Sequence, residues 1–424
     1  MENTSANREK TTTEKAAKNI NIGLVAHVDA GKTTLSEGML YLSGAIRNLG
    51  RVDHGDAFLD TYEMERERGI TIFSKQAVLT WKDLEITLLD TPGHVDFSAE
   101  MERVLQVLDC AVLVISGTDG VQGHTVTLWR LLRRYGVPVF IFVNKMDREE
   151  TDRSKLMEEL KGRLDERCAD FGMLFGGNGS PDEFESLAVC DDEMLEEYLE
   201  TGTISADTLR SKIAERKVFP CWFGSALKAE GIEELLDGIG EFAVRPQYPE
   251  GFGAKVYKIS RDPQGNRMTW LKVTGGRLNV KETLPGTEGK VNQIRIYSGE
   301  KYELVQSADA GRVCAVTGLE HTYPGQGLGG EDDSDIPVLE PVLTYRLELP
   351  EGCDVHGMLN NLRRLEEEEP ELHIVWIEET QEIHIRLMGE VQTEVLQRLI
   401  KERYGVLVEF REGRIIYKET IGNT

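Results

Sequence analysis

The segment Ile20-Asn21-Ile22-Gly23-Leu24-Val25-Ala26-His27-Val28-Asp29-Ala30-Gly31-Lys32-Thr33-Thr34 carries the strongest structural signal in the chain. A short apolar run enters a turn of small residues, a glycine-lysine-threonine step follows, and a helical pattern begins. Strand, glycine-lysine loop and helix in this order build an anion cradle, in which consecutive backbone N–H groups face one point at a helix N-terminus. Lys32 is placed to neutralise the β and γ phosphates of a nucleotide, and Thr33 to set its hydroxyl on magnesium. The loop departs from the usual spacing only at Ala26, where a first glycine is customary, and the small side chain still lets it close. Taken alone, the same residues also describe a glycine turn into a helix with a surface lysine.

Outward from this loop, short apolar strands at Ile86 to Leu89, Ala111 to Ile115, Val139 to Val143 and Val218 to Phe223 alternate with helical stretches. That alternation predicts a doubly wound, mainly parallel α/β domain over 19–247, with an acidic, helix-prone insert over 148–217. Arg245-Pro246-Gln247-Tyr248-Pro249 breaks the regularity as a linker. Short alternating runs between Gly-rich turns then predict a small all-β barrel over 250–337. Over 338–420 the order strand, helix, strand, strand, helix, strand predicts an α+β ferredoxin-like module, with Val391, Val395, Leu396 and Leu399 on one helical face.

Further motifs fall at the ends of the apolar strands. Asp90-Thr91-Pro92-Gly93-His94 places a carboxylate where it can reach magnesium and the Gly93 N–H where it can approach a γ-phosphate. Asn144-Lys145-Met146-Asp147 offers an amide and a carboxylate to the edge of a guanine, and the Lys145 stem covers the ring. The Asp147 carboxylate pairs with donors that adenine lacks. Gly224-Ser225-Ala226-Leu227 would supply backbone N–H to the guanine O6. Between the first two motifs, Arg68-Gly69-Ile70-Thr71 is a loop able to close the Thr71 hydroxyl onto magnesium only when a γ-phosphate is present. His27 and His54 are read as loop residues without a role, and Arg66 and Arg68 equally as RNA contacts or a solvated helix end.

The 424 residues include 49 Lys plus Arg against 74 Asp plus Glu, a net charge of −25. This argues against indiscriminate binding to polyphosphate backbones but leaves room for a local basic patch. The content of 40% hydrophobic and 29% charged residues excludes a wholly disordered chain. Six scattered cysteines without a CxxC pair read as reduced thiols of a cytoplasmic protein. No segment approaches the ~20 apolar residues of a membrane span, and the polar stretch 1–18 is expected to be a disordered tail.

Together, Ala26 through Thr34, Glu67-Arg68-Gly69-Ile70-Thr71-Ile72 and Asp90 through His94 resemble the ribosome-dependent translational GTPases of the elongation factor G type. The resemblance runs from Asn19 to about Thr420. Leu42-Ser43-Gly44-Ala45-Ile46 followed by Leu49-Gly50-Arg51-Val52-Asp53 looks most like the tetracycline-resistance, ribosomal-protection branch. Gly311 to Leu319 is similar to the second, barrel domain of the family, and Met388 to Val395 to the third. The resemblance implies a P-loop GTPase that takes GTP/GDP and Mg2+, works in the cytoplasm as a monomer and acts on the bacterial ribosome. It further implies that His94 orients the attacking water and that Val28 and Ile70 form an apolar gate which His94 crosses. Asp29 would lie near the β,γ-bridging oxygen, with a monovalent cation as a possible companion, and no arginine finger is expected. The family continues with two further domains where this sequence stops, at Tyr417-Lys418-Glu419-Thr420. The competing expectations are an elongation factor G-like translocation factor and a non-catalytic, GTP-dependent ribosome-binding module.

Overall fold

The computed structural model describes residues 18–50, 57–59, 62–177, 179–335 and 337–412. The expected disordered tail apart from Lys18, the residues Arg51, Val52, Asp53 and His54, and the stretch 413–420 lie outside the described residues. The opening strand is β1 (Lys18–Ala26), and its sheet also holds β2 (Lys75–Trp81), β3 (Leu84–Asp90), β4 (Cys110–Ser116), β5 (Val139–Asn144), β6 (Cys168–Asp170) and β7 (Phe219–Phe223). The order across this seven-stranded sheet is β2-β3-β1-β4-β5-β7-β6. Every pairing is parallel except β2 with β3.

Around the sheet lie α1 (Lys32–Leu42), α2 (Glu63–Arg68), α3 (Ser98–Leu105), α4 (Gly123–Arg134) and, in the insert region, α5 (Arg153–Arg163), α6 (Phe171–Phe175), α7 (Pro181–Ala188), α8 (Asp192–Thr201) and α9 (Ala206–Ala214), followed by α10 (Ile232–Phe242). Ile20, Ile22 and Leu24 join Leu35, Met39 and Ile232 in one core, and Val25 joins Met101 and Leu113 in the other. Burying both faces explains why the central strands read as continuous apolar runs. Gly23 interrupts β1 because a Cβ there would meet Leu108 Cδ1 at 2.3 Å.

The next unit comprises β8 (Gly253–Arg261), β9 (Arg267–Gly275), β10 (Arg277–Asn279), β11 (Glu288–Ser298), β12 (Lys301–Val305), β13 (Ser307–Asp309), β14 (Val313–Glu320) and β15 (Gly327–Gly329). A six-stranded antiparallel sheet, β12-β11-β14-β9-β8-β15, and the ribbon β10-β13 wrap a common core that includes Val256, Leu271, Leu278, Ala308 and Cys314. The last unit runs β16 (Leu343–Glu348), α11 (Val355–Glu368), β17 (Val375–Ile377), β18 (Glu382–Leu387), α12 (Glu390–Tyr404) and β19 (Glu409–Glu412), with sheet order β17-β18-β16-β19. That is the split βαβ arrangement. β17 starts only at Val375, because Pro370–Leu372 form a 3-10 turn and His373 takes φ 39°.

The α/β unit and the β unit share a buried seam. Asp109 accepts from the Lys272 ammonium at 2.5 Å and from the Asn21 backbone N–H and side-chain amide, both at 2.8 Å. Leu89, Val104 and Val107 pack there on Tyr257 and Val313. The last unit meets the α/β unit through α12, whose Val395 packs with Met64, Ile72 and Phe97. Among the described residues no helix is long and apolar enough to cross a membrane.

Candidate functional site

The loops leaving the C-terminal ends of β1, β3, β5 and β7 converge, as open parallel sheets dictate where strand order reverses. After β1 the chain turns through Asp29 at φ 60° and Gly31 at φ 89° into α1. Gly31 has no side-chain substitute, because a Cβ there would lie 2.2 Å from Asn144 Nδ2 in addition to the left-handed strain. Ala26 keeps a negative φ and is buried at the end of the strand, so the customary glycine is not required there. No side chain caps α1, and the first N–H groups of the helix are left to an external acceptor.

A cavity of about 280 Å3 opens over this helix end, lined by His27, Val28, Asp29, Gly31, Lys32, Thr33, Thr34, Gly69, Ile70, Thr71, Gly93, His94 and Lys145. Lys32 reaches the Thr71 hydroxyl at 3.0 Å and forms a buried ion pair with Asp90. Thr71 Oγ1 lies 3.4 Å from the second Asp90 oxygen. Residues from three separate motifs thus meet around one point. Thr33 and Thr71 line the cavity and the Asp90 carboxylate lies behind Thr71, so oxygen donors of the kind a hard divalent cation such as Mg2+ takes stand beside the phosphate-sized cradle.

Gly93 approaches the loop closely: a Cβ there would lie 3.2 Å from the Ala26 carbonyl oxygen. His94 borders the cavity, its Nδ1 accepting from the Asp96 N–H at 3.2 Å. Among the described residues the buried Nδ1 of His27 finds no hydrogen-bond partner, and its ring lies 5.8 Å from that of His124. Burial, with His27 and His94 close by, pushes the His124 imidazole down to about 4. His27 was expected among the cofactor-binding residues of the glycine-lysine loop and lines the cavity, whereas His124 was not singled out.

On the other side of Lys145, a more open depression is lined by Thr118, Asp119, Lys145 and Asp147. The Ser225 hydroxyl, more than any other neighbour, holds the Asp147 carboxyl below its usual range. Asn144 ends β5, as expected, and is held among the loops. It is 3% exposed, donates to the Ala30 carbonyl at 2.9 Å and accepts from the N–H groups of Lys145 and Ala226, each at 2.8 Å. Its carbonyl oxygen and one of its two amide hydrogens therefore tie the first loop to the third and fourth, and the Ala226 N–H is taken as well. Ala26, Ala30, Asp90, Ser225 and Ala226 are buried behind the lining, whereas Leu227 is 48% exposed on a one-turn 3-10 helix. Thr118 and Asp119 were missed, although they follow the strand β4 and the strand-end rule points to them.

The profile of the elongation factor Tu GTP binding domain matches residues 17–244, and that of elongation factor G domain III matches residues 338–412. The chain belongs to the translational GTPase family of the elongation factor G type. Within it, tetracycline resistance protein TetP of Clostridium perfringens is 34% identical over 430 residues, covering 95% of this chain and 66% of its own length. The oxytetracycline resistance protein of Streptomyces rimosus is 35% identical, covering 94% of this chain and again 66% of its own length. Elongation factor G of Ureaplasma parvum serovar 3 is 31% identical, covering 94% and 69%. The chain thus spans about two thirds of the length of these relatives. A crystal structure from Thermus thermophilus superimposes with a TM-score of 0.82 at 26% identity, over 93% of this chain and 67% of that one.

Proposed function

We propose that the chain binds GTP with Mg2+ and hydrolyses it on the bacterial ribosome, as part of a tetracycline ribosomal-protection protein. The observation that carries the reading is the meeting of Lys32 and Thr71, in the wall of a cavity that His94 also borders, with Asp90 buried directly behind them, the three coming from three separate motifs. Lys32 and the N–H groups of α1 hold the phosphates, and Asp147 with Lys145 selects guanine. Thr33, Thr71 and Asp90 would hold Mg2+, which would supply charge compensation to the phosphates. His94 orients a water once it is drawn past Val28 and Ile70, so the rate comes from positioning and electrostatics. The resistance branch is favoured over translocation by the 34% and 35% identity to the two resistance proteins, against 31% to elongation factor G.

The test is GTP turnover with and without 70S ribosomes, using His94→Ala as control. Stimulation that His94→Ala abolishes supports the reading. Tight GTP binding with no stimulation leaves a nucleotide-dependent binding module instead.

A further inference from the structure

Thr71 is presented to the cavity by a short turn, and a single residue before the turn holds that turn in shape. Glu65, on α2, is fully buried. Its backbone carbonyl accepts the N–H of Gly69 at 2.7 Å. Its side-chain Oε1 accepts the N–H of Ile72 at 2.9 Å and that of Phe73 at 3.1 Å, while Oε2 accepts the N–H of Tyr62 at 3.2 Å. The Lys75 ammonium, from the edge strand β2, neutralises the same carboxylate. The bonds from Glu65 therefore fall immediately on either side of the pair Ile70 and Thr71. Gly69 makes the return possible with φ 66°.

A buried carboxylate costs several kcal/mol unless it is paired and hydrogen-bonded, and capping a six-residue helix does not need one. We propose that Glu65 is the positioning residue for Thr71, fixing the Gly69–Phe73 turn so that the threonine hydroxyl faces the magnesium position. The inference rests on the reading of Thr71 as a metal ligand that engages only with a γ-phosphate. Glutamate is specified by geometry: aspartate is a methylene too short, and the glutamine amide would turn a donor toward the Tyr62 N–H and the Lys75 ammonium.

The experiment titrates Mg2+ into Glu65→Gln and Glu65→Ala in the presence of a non-hydrolysable GTP analogue or GDP, reading affinity by fluorescence. Val395→Ala, which loosens the apolar cluster under the same segment without touching the carboxylate, is the stability control. Glu65→Ala is expected to weaken Mg2+-dependent binding of the analogue about tenfold or more and to leave GDP within about twofold, the size expected when buried hydrogen bonds to one group are lost. Glu65→Gln, which keeps the shape and is the deciding variant if the alanine chain does not fold, is expected to show a smaller loss in the same direction. Val395→Ala should melt earlier with its Mg2+ requirement intact. Equal losses for both nucleotides, or an unchanged Mg2+ requirement in Glu65→Gln, would overturn the proposal and reduce Glu65 to a structural cap. Failure of the unmodified chain to bind either nucleotide would instead remove the GTP reading on which it stands.

Discussion

Gly31 and Asn144 show how little freedom single residues have at the site. Gly31→Ala adds a methyl group where Asn144 Nδ2 already sits and demands a left-handed backbone that costs about 1–2 kcal/mol for an L side chain. Nucleotide affinity, read by fluorescent GDP titration, should fall about a hundredfold or more, since about 2.7 kcal/mol suffices. Asn144→Ala strands the Ala226 N–H in a buried setting, at about 1–3 kcal/mol, which urea denaturation would register. For His124, depressed to about 4 by burial and its two histidine neighbours, the sign is plain. The unfolded imidazole protonates near 6.5 and the folded one does not, so the stability it supports is full above about pH 6.5 and lost as pH falls toward about 4. His124→Gln should flatten the stability profile across the upper part of that window, and an NMR titration of the ring placing its midpoint near 6.5 would contradict the assignment. The phosphate loop, Asp90 and His94 were legible because each motif is contiguous and follows a recognisable strand, and Thr71 because its motif is contiguous and lies between the other two. The duties of Asn144, Glu65 and His124 were not, because each depends on partners supplied by distant turns of the chain.

At the scale of elements, α12 bridges two loops of the α/β unit. Its first N–H groups, of Val391 and Gln392, are accepted not by its own preceding residue but by Asp96 Oδ2, at 2.9 and 3.3 Å. A Cβ at Gly389 would fall 2.4 Å from an Asp96 oxygen, so a larger residue there would push that carboxylate off the helix end. Farther along, Arg398 pairs with Glu63 and Glu67 on α2 at 3.0 and 2.6 Å. Asp96→Ala removes a cap and should cost about 1 kcal/mol, whereas Arg398→Ala, in an exposed network, should cost less than about 1 kcal/mol. Thermal melts would rank the two, and the reverse order would mean that the helix is held by charge rather than by its end. Helices and long strands here followed from periodicity. The strands β2 and β6 did not: β2 is an antiparallel edge before a tight turn, and β6 is three residues long, too short to show a period.

For the molecule as a whole, the seams between units differ in kind. Between the α/β and β units, Asp109 and Lys272 are both nearly inaccessible, so Asp109→Ala leaves an ammonium buried without its counter-charge. About 3–5 kcal/mol should be lost, visible as an earlier melting transition. The seam to the last unit mixes a small apolar cluster with charges. Arg103 is shared by Glu369 and Glu371, with Glu100 close by, and burial pushes the Glu369 carboxyl up to about 7. No sequence pattern announces that cluster, because its members come from α3, from the end of α11 and from the turn that follows it. In mechanical language, the α/β and β units form a stator welded along Asp109. The last unit is seated through α12, which rests against the segments next to Thr71 and His94. Dye pairs spanning the weld should therefore keep their separation through the nucleotide cycle, and any shift of the segments that hold Thr71 and His94 should be registered by pairs reaching from either welded unit to α12.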